Sequence, residues 1–274
     1  MAWLPPGLVW LASYPKSGNT WMRVLLANLL AGADRPRDIN NLSAEESLVG
    51  RWRFCDDMLV DPDLLDAGEL ARLRRAQHDF VASRLTAPFI CKTHDRFDGS
   101  VLGGGARRSL YLIRDPRDVA ISLSHHSSIP LDHAIGQMTD AACHADGPMQ
   151  LRYPLGDWAG HVEGWSGQDA GSTRVVRYED LRHHTAATLS SVIVFLGGEA
   201  TDAEIRRAVA HSALEELQRQ EAARGFRESR PGQDRFFRSG RVGEWRDVMT
   251  PAQVEALEER FLPVMKRWGY GPSR

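Results

Sequence analysis

Lysine is scarce in this 274-residue chain: among its 34 lysines and arginines, only Lys16, Lys92 and Lys266 are lysine. A chain that meets almost every need for fixed positive charge with the planar arginine fork keeps lysine where a compact, mobile ammonium is required. Lys16 stands in Val9-Trp-Leu-Ala-Ser-Tyr-Pro-Lys-Ser-Gly-Asn-Thr-Trp21, where an apolar run turns abruptly into Pro-Lys-Ser-Gly and then into an amphipathic pattern. That passage reads as a strand, a tight loop and a helix start. It aims backbone N–H groups and the positive end of a helix at an anion, most often a phosphate. Gly18 permits close backbone approach, Ser17, Asn19 and Thr20 can donate to phosphate oxygens, and the Trp21 indole can stack on a purine. The loop is not a G-x-x-x-x-G-K-[ST] motif, for no Gly-Lys pair occurs in the chain.

Two further strand ends carry chemistry. Lys92-Thr93-His94 closes the apolar run that begins at Pro88. In Tyr111-Leu-Ile-Arg-Asp-Pro-Arg-Asp-Val-Ala-Ile-Ser122, Arg114 falls at a strand end and Ser122 two turns into the next helix, so both face one crevice. An arginine over a helix start suits a second phosphate. The competing assignment is an ion pair on the helix surface, Arg114 with Asp118 or Arg117 with an aspartate, which contributes little.

The elements that must position these residues follow from pattern and punctuation. Leu8–Ser13, Pro88–Thr93, Ser109–Arg114 and Thr173–Tyr178 read as strands. Helices are expected over Thr20–Leu30, Leu64–Leu85, from Asp115-Pro116 to His126, Thr185–Leu196, from Thr201 to Ala210, and Ser212–Ala222. Capping boxes are read at Ser43-Ala-Glu-Glu46, Thr201-Asp-Ala-Glu204 and Thr250-Pro-Ala-Gln253. The last opens a helix with Val254, Leu257, Phe261, Leu262, Met265 and Trp268 on its apolar stripe. Arg51–Pro62 shows no clear period, Gly103-Gly-Gly105 marks a flexible loop, Ile129–Gly164 reads as short helices and a cap, and Arg224–Arg241 as a mobile loop. Strands separated by helices make an α/β single domain with a central, mostly parallel sheet flanked by helices. A P-loop-like strand–loop–helix stands at its N-terminus, and ligands bind at the carboxyl ends of the strands.

Composition sets limits. A formal net charge of −2 offers no ground for bulk nucleic-acid binding. No apolar run reaches the length of a membrane span, and no secretory leader is read at the N-terminus. Three widely spaced cysteines form neither a disulfide framework nor a zinc pattern, so a reduced, cytoplasmic protein is expected, without metal.

Taken together and in order, these segments resemble the cytosolic-type sulfotransferases, bacterial members included, which use 3′-phosphoadenosine 5′-phosphosulfate (PAPS) and release 3′-phosphoadenosine 5′-phosphate (PAP). Tyr14–Trp21 looks like their 5′-phosphosulfate loop, Arg114 and Ser122 like their 3′-phosphate pair, and Lys92-Thr93-His94 like the element bearing their catalytic histidine. Tyr178-Glu-Asp-Leu181 is similar to the segment whose tyrosine approaches the adenine. Ser212-Ala-Leu-Glu-Glu-Leu217 matches the adenine-edge helix, with Leu214 where the family favours phenylalanine. Phe236-Phe237-Arg238-Ser239-Gly240-Arg241 looks like the C-terminal Arg-Lys-Gly loop, with Ser239 replacing its lysine; Arg238 and Arg241 are expected to take up the missing charge. Arg246, Thr250, Pro251 and Glu255 echo the family's homodimer element, with a proline where a backbone donor is usual.

The resemblance implies sulfuryl transfer from PAPS to a hydroxyl of a small-molecule acceptor, a phenol or alcohol of a secondary metabolite. His94 is then the general base, Lys16 acts on the bridging oxygen, Lys92 on the sulfuryl oxygens, and Ser122 holds Lys16 or the 3′-phosphate. Acceptor caps are expected at about 35–62 and 125–165 and a cofactor lid at about 224–243, and Trp52, Phe54, Phe97, His125, Trp158 and Trp165, in irregular segments, are expected to roof the site. His125 and His126 compete with His94 for a place near the acceptor. The alternatives are a kinase-like phosphotransferase and a catalytically silent nucleotide-binding protein.

Overall fold

Six successive buried residues, Leu8–Ser13, demand a strand covered on both faces. In the computed structural model, which describes residues 4–42, 47–99 and 106–273, strand β1 (Gly7–Ser13) lies inside a four-stranded parallel sheet. Its neighbours are β2 (Pro88–Thr93) and β3 (Ala106–Ile113), and β6 (Thr173–Arg177) pairs with β3, giving the order β2-β1-β3-β6. The two-residue period of β1 splits the core. Leu8, Trp10 and Ala12 join a cluster with Tyr111, Trp158, Trp165 and Phe261, while Val9 and Leu11 join one with Met22, Leu25, Leu189 and Ile193.

Helix α1 (Asn19–Ala31) follows β1; α2 (Arg51–Met58) and α3 (Ala67–Ser83) precede β2. Beyond β3 come α4 (Pro116–Ser127), α5 (Leu131–Thr139), a hairpin of β4 (His144–Gly147) and β5 (Gln150–Pro154), and α6 (Trp158–Ser166). After β6 come α7 (Tyr178–His183), α8 (Thr185–Phe195), α9 (Asp202–His211), α10 (Leu214–Arg224), α11 (Trp245–Val248) and α12 (Pro251–Arg267). The chain runs from β1 to β2 on one side and then to β3 on the other. Strand order therefore reverses between β1 and β3, and a crevice opens at their carboxyl ends, where α/β sheets bind ligands.

The expected α/β class, the four strands and the boxes at Thr201 and Thr250 are all present. Several boundaries differ. Arg51–Met58 is a helix although it buries only Phe54, too little for a readable period. The segment read as short helices and a cap holds a hairpin as well as α5 and α6. Ser212 closes α9 rather than opening α10, and Arg224 is the last residue of α10. On α12, Val264 is buried, whereas Leu262 and Trp268 are only partly covered. Thr250 and Pro251, read as part of a dimer element, form the N-cap and first turn of α12. The box at Ser43–Glu46 and the loop Gly103–Gly105 lie outside the described residues. Among those described, no helix is long and apolar enough to cross a membrane.

Candidate active site

The turn after β1 is bent hard. Lys16 takes a left-handed backbone at φ 68°, uncommon for a side-chain-bearing residue, and Gly18 follows at φ 100°. A Cβ on Gly18 would meet Tyr178 Cδ2 at 2.7 Å, so only glycine lets the loop rest against that ring. Helix α1 starts here with no side-chain cap and no acidic residue in its first turn. Its first N–H groups therefore lack helical partners and face a cavity of about 820 Å³. The buried Ser17 Oγ has no hydrogen-bond partner. Asn19, expected to reach an anion with its side chain, turns its amide inward to the Leu11 carbonyl (2.9 Å) and Ser13 Oγ (3.3 Å). It braces the end of β1 instead. Trp21 lines the cavity and donates from Nε1 to the Ser212 carbonyl at 2.9 Å.

At the end of β3, Arg114 is buried beneath the loop. It donates to the carbonyls of Lys16 (3.2 Å) and Arg241 (2.9 Å) and lies 4.4 Å from the centre of the Tyr178 ring. Asp118, 3.9 Å away, accepts chiefly from the Gly243 (2.7 Å) and Trp245 (3.0 Å) backbones, so the surface-pair assignment fails: neither residue is at the surface. Ser122 lines the same cavity, as do Tyr178, Leu214, Phe237, Arg238, Ser239 and Gly240. The Gly240 carbonyl accepts from Tyr178 Oη at 3.1 Å, which joins the C-terminal loop to the strand ends. Ser212 also borders the cavity, but its hydroxyl is used internally, donating to the Ala208 carbonyl at 2.7 Å. Arg238 makes a two-pronged pair with Glu244 (2.6 and 2.5 Å), and Arg241, outside the cavity lining, pairs with Asp247 at 2.5 Å.

At the end of β2, His94 Nδ1 lies 2.7 Å from the Ser13 carbonyl. A carbonyl only accepts, so Nδ1 carries the proton and Nε2 is left as an acceptor. Burial, and after it the ammonium of Lys92, push the His94 pKa well below the usual histidine value, so the ring is neutral at pH 7. Its backbone is held on two sides. His161 Nε2 donates to the His94 carbonyl (3.1 Å) and its Nδ1 accepts from Tyr111 Oη (2.9 Å). Asp95 receives both prongs of Arg74 (2.8 and 3.0 Å) and the Thr93 hydroxyl (2.7 Å), and its carbonyl accepts from Trp165 Nε1 (2.9 Å). Asp95→Ala strands a buried guanidinium and should cost about 3–5 kcal/mol in stability. Chemical denaturation of the variant checks this; a loss below about 1 kcal/mol would mean that the pair does not hold this turn.

Lys16, unlike His94, is moved into the physiological range. Burial and then the neighbouring Lys92 lower its pKa to about 7, and its Nζ rests 4.2 Å from the centre of the Phe236 ring. The aromatic residues expected to meet an acceptor are elsewhere: Phe54, Trp158 and Trp165 are core, Phe97 packs on Trp165, and Trp52 and His125 are exposed. The cavity beside His94 is walled instead by Tyr14, Leu123, Ile129, Tyr153, Leu155 and Phe236, with His126 bonded to Gln233. Sequence reading also missed Glu228, whose Oε2 reaches Lys92 Nζ (3.2 Å) and Thr20 Oγ1 (3.5 Å). A carboxylate among three arginines within a few residues gives no signal of its own in the sequence.

A family model, the Sulfotransferase domain, matches residues 6–269. The chain belongs to the sulfotransferase family. Mouse Sulfotransferase 2B1 is 24% identical over 267 residues, covering 94% of this chain and 71% of its own. A crystal structure of retinol dehydratase in complex with androsterone and inactive cofactor PAP has the same fold at TM-score 0.65 and 20% identity, covering 94% of this chain and 80% of its own. Mouse sulfotransferase SULT7A1 complexed with PAP superposes with TM-score 0.61 at 20% identity, covering 95% and 84%.

Proposed function

We propose that this sulfotransferase moves the sulfuryl group of PAPS in line onto the hydroxyl of a small-molecule acceptor, a phenol or alcohol, with His94 as general base. The observation that carries the reading is the convergence on one cavity of an uncapped helix start, two lysines, a buried arginine and a histidine with its Nε2 free to accept. The donor-binding residues suit an anionic nucleotide. Backbone N–H groups at the Lys16–Thr20 loop face its 5′ end, Arg114 and Ser122 its 3′-phosphate, and Trp21, Tyr178 and Leu214 its base; Ser17, fully buried, lies outside the cavity lining. PAPS, when bound, supplies the sulfuryl group and a phosphate leaving group.

His94 Nε2 takes the proton of the acceptor hydroxyl as its oxygen bonds to sulfur. Lys16, on a strained loop, meets the charge left on the bridging oxygen, and Lys92 steadies the sulfuryl oxygens. The mechanism calls for no metal. The apolar wall of Tyr153, Leu155, Ile129 and Phe236 favours an acceptor with an aromatic or lipophilic body. Residues 224–243 act as the donor's lid, and 125–165 contribute Ile129, Tyr153 and Leu155 to the acceptor wall. Cys55, Cys91 and Cys143 are free, which accords with a reducing compartment such as the cytoplasm.

Calorimetry with PAP, in the presence of a chelator, tests the donor assignment. Wild type should bind, and Arg114→Ala should weaken binding at least about tenfold, since a charge-assisted phosphate contact is lost. Absence of PAP binding together with Mg²⁺-dependent ATP binding would move the chain to the phosphotransferase reading.

A further inference from the structure

Glu228 sits in a place that a carboxylate should avoid. It belongs to the irregular segment after α10, yet its side chain enters a cavity that Lys16, Lys92, Arg114 and Arg230 also line. Its two oxygens have separate tasks. Oε1 pairs with Arg23, a guanidinium buried one turn into α1 behind the phosphate loop. Oε2 reaches Lys92 Nζ and Thr20 Oγ1. Burial alone would raise the pKa of this carboxyl; Lys92 and Arg23 outweigh it and lower the value to about 2, so the group is an anion at any working pH. The arrangement has the form of a charged tether with one hand free. The Arg23 pair can persist while the contacts of Oε2 are exchanged for others.

We infer that Glu228 is a specificity-determining residue at the donor site, a resident anion whose Oε2 holds Lys92 and Thr20 until sulfuryl oxygens take them over, and which thereby narrows the enzyme's preference for PAPS over PAP. The inference rests on the donor reading given above. PAPS must displace Oε2 from Lys92, because the sulfuryl group is what Lys92 meets. PAP has no sulfuryl group and leaves that contact in place. Glu228 therefore charges its penalty mainly to the sulfated donor, and after transfer it reclaims Lys92.

The test is the affinity of wild type and Glu228→Gln for PAPS and for PAP, each measured without acceptor. The glutamine should tighten PAPS about tenfold and PAP by about threefold or less, so the ratio of the two dissociation constants moves toward PAPS. Because Glu228→Gln removes the charge that pairs with Arg23, the double replacement Arg23→Leu with Glu228→Leu, which removes both members of the pair, is measured alongside. The same change of ratio in either folded variant supports the inference. Wild type that binds both ligands, with variants whose ratio is unchanged or moves toward PAP, overturns it while leaving the donor reading intact. Wild type that binds neither ligand overturns the donor reading and this inference with it.

Discussion

His94→Ala should lower kcat by about 10²–10⁴-fold, the usual contribution of a positioned general base, while PAP affinity stays within about twofold. The separation of the two effects follows from geometry. The His94 ring is fixed by the Ser13 carbonyl and its backbone by His161, whereas Arg114 and the helix start, which face the donor, do not touch it. The pH profile adds a second check. The pKa of His94 is held well below 6.5 by burial and Lys92, so the neutral base persists at pH 6.5 and is lost only as the pH falls well below that value. Turnover should therefore stay flat between pH 7 and about 6.5 on the acid side. Steady-state kinetics with a phenol acceptor reads both quantities. A variant retaining more than about a tenth of wild-type kcat would remove His94 from the proton transfer.

Lys16→Met should lower kcat by about 10²–10³-fold, comparable to the loss of one donor from a preorganised anion site. Its more telling signature is a proton. In the empty site Lys16 titrates at about 7, so at pH 8 most of it is neutral. A bound anionic nucleotide favours the ammonium and raises that value. Binding of PAP at pH 8 should thus take up nearly one proton, and affinity should fall by about tenfold per pH unit above 7 until the raised value is reached. Calorimetry in buffers of different ionisation enthalpy measures the uptake, and Lys16→Met should abolish it. Unchanged uptake in that variant would assign the proton to another group.

How much of this was legible in the sequence depended on how strongly each residue's neighbours in the chain constrain it. The run through β1 is buried on both faces and contains nothing but apolar and small residues, so its place at the centre could be read directly. Pro88 and Thr93 delimited β2, and Asp115-Pro116 fixed the start of α4. That Lys16, His94 and Arg114 would line one cavity was readable because strand–loop–helix units carry such residues at fixed offsets, whereas the inward turn of the Asn19 amide was not. Nor was the burial of Phe54, Trp158 and Trp165, expected to roof the cavity. Helix α6 places Trp158 and Trp165 in the core only because Gly164 comes so close to Phe97 that a Cβ would lie 2.3 Å from its carbonyl oxygen. Nothing local distinguishes that arrangement from an aromatic roof over a pocket. Glu228 and Arg23 meet across 205 positions of sequence, and each alone is an ordinary charged residue.

The contact between Gly18 and the Tyr178 ring works as a gauge. On the proposed donor assignment, one end of the donor meets the loop that contains the glycine and the other the wall to which the tyrosine belongs. The span between the grips is set by an aromatic ring resting where a side chain is missing. On that assignment the contact fixes the length of nucleotide the site accepts. An alanine at position 18 would lengthen the gauge by the width of a methyl group, without altering a single charge in the site.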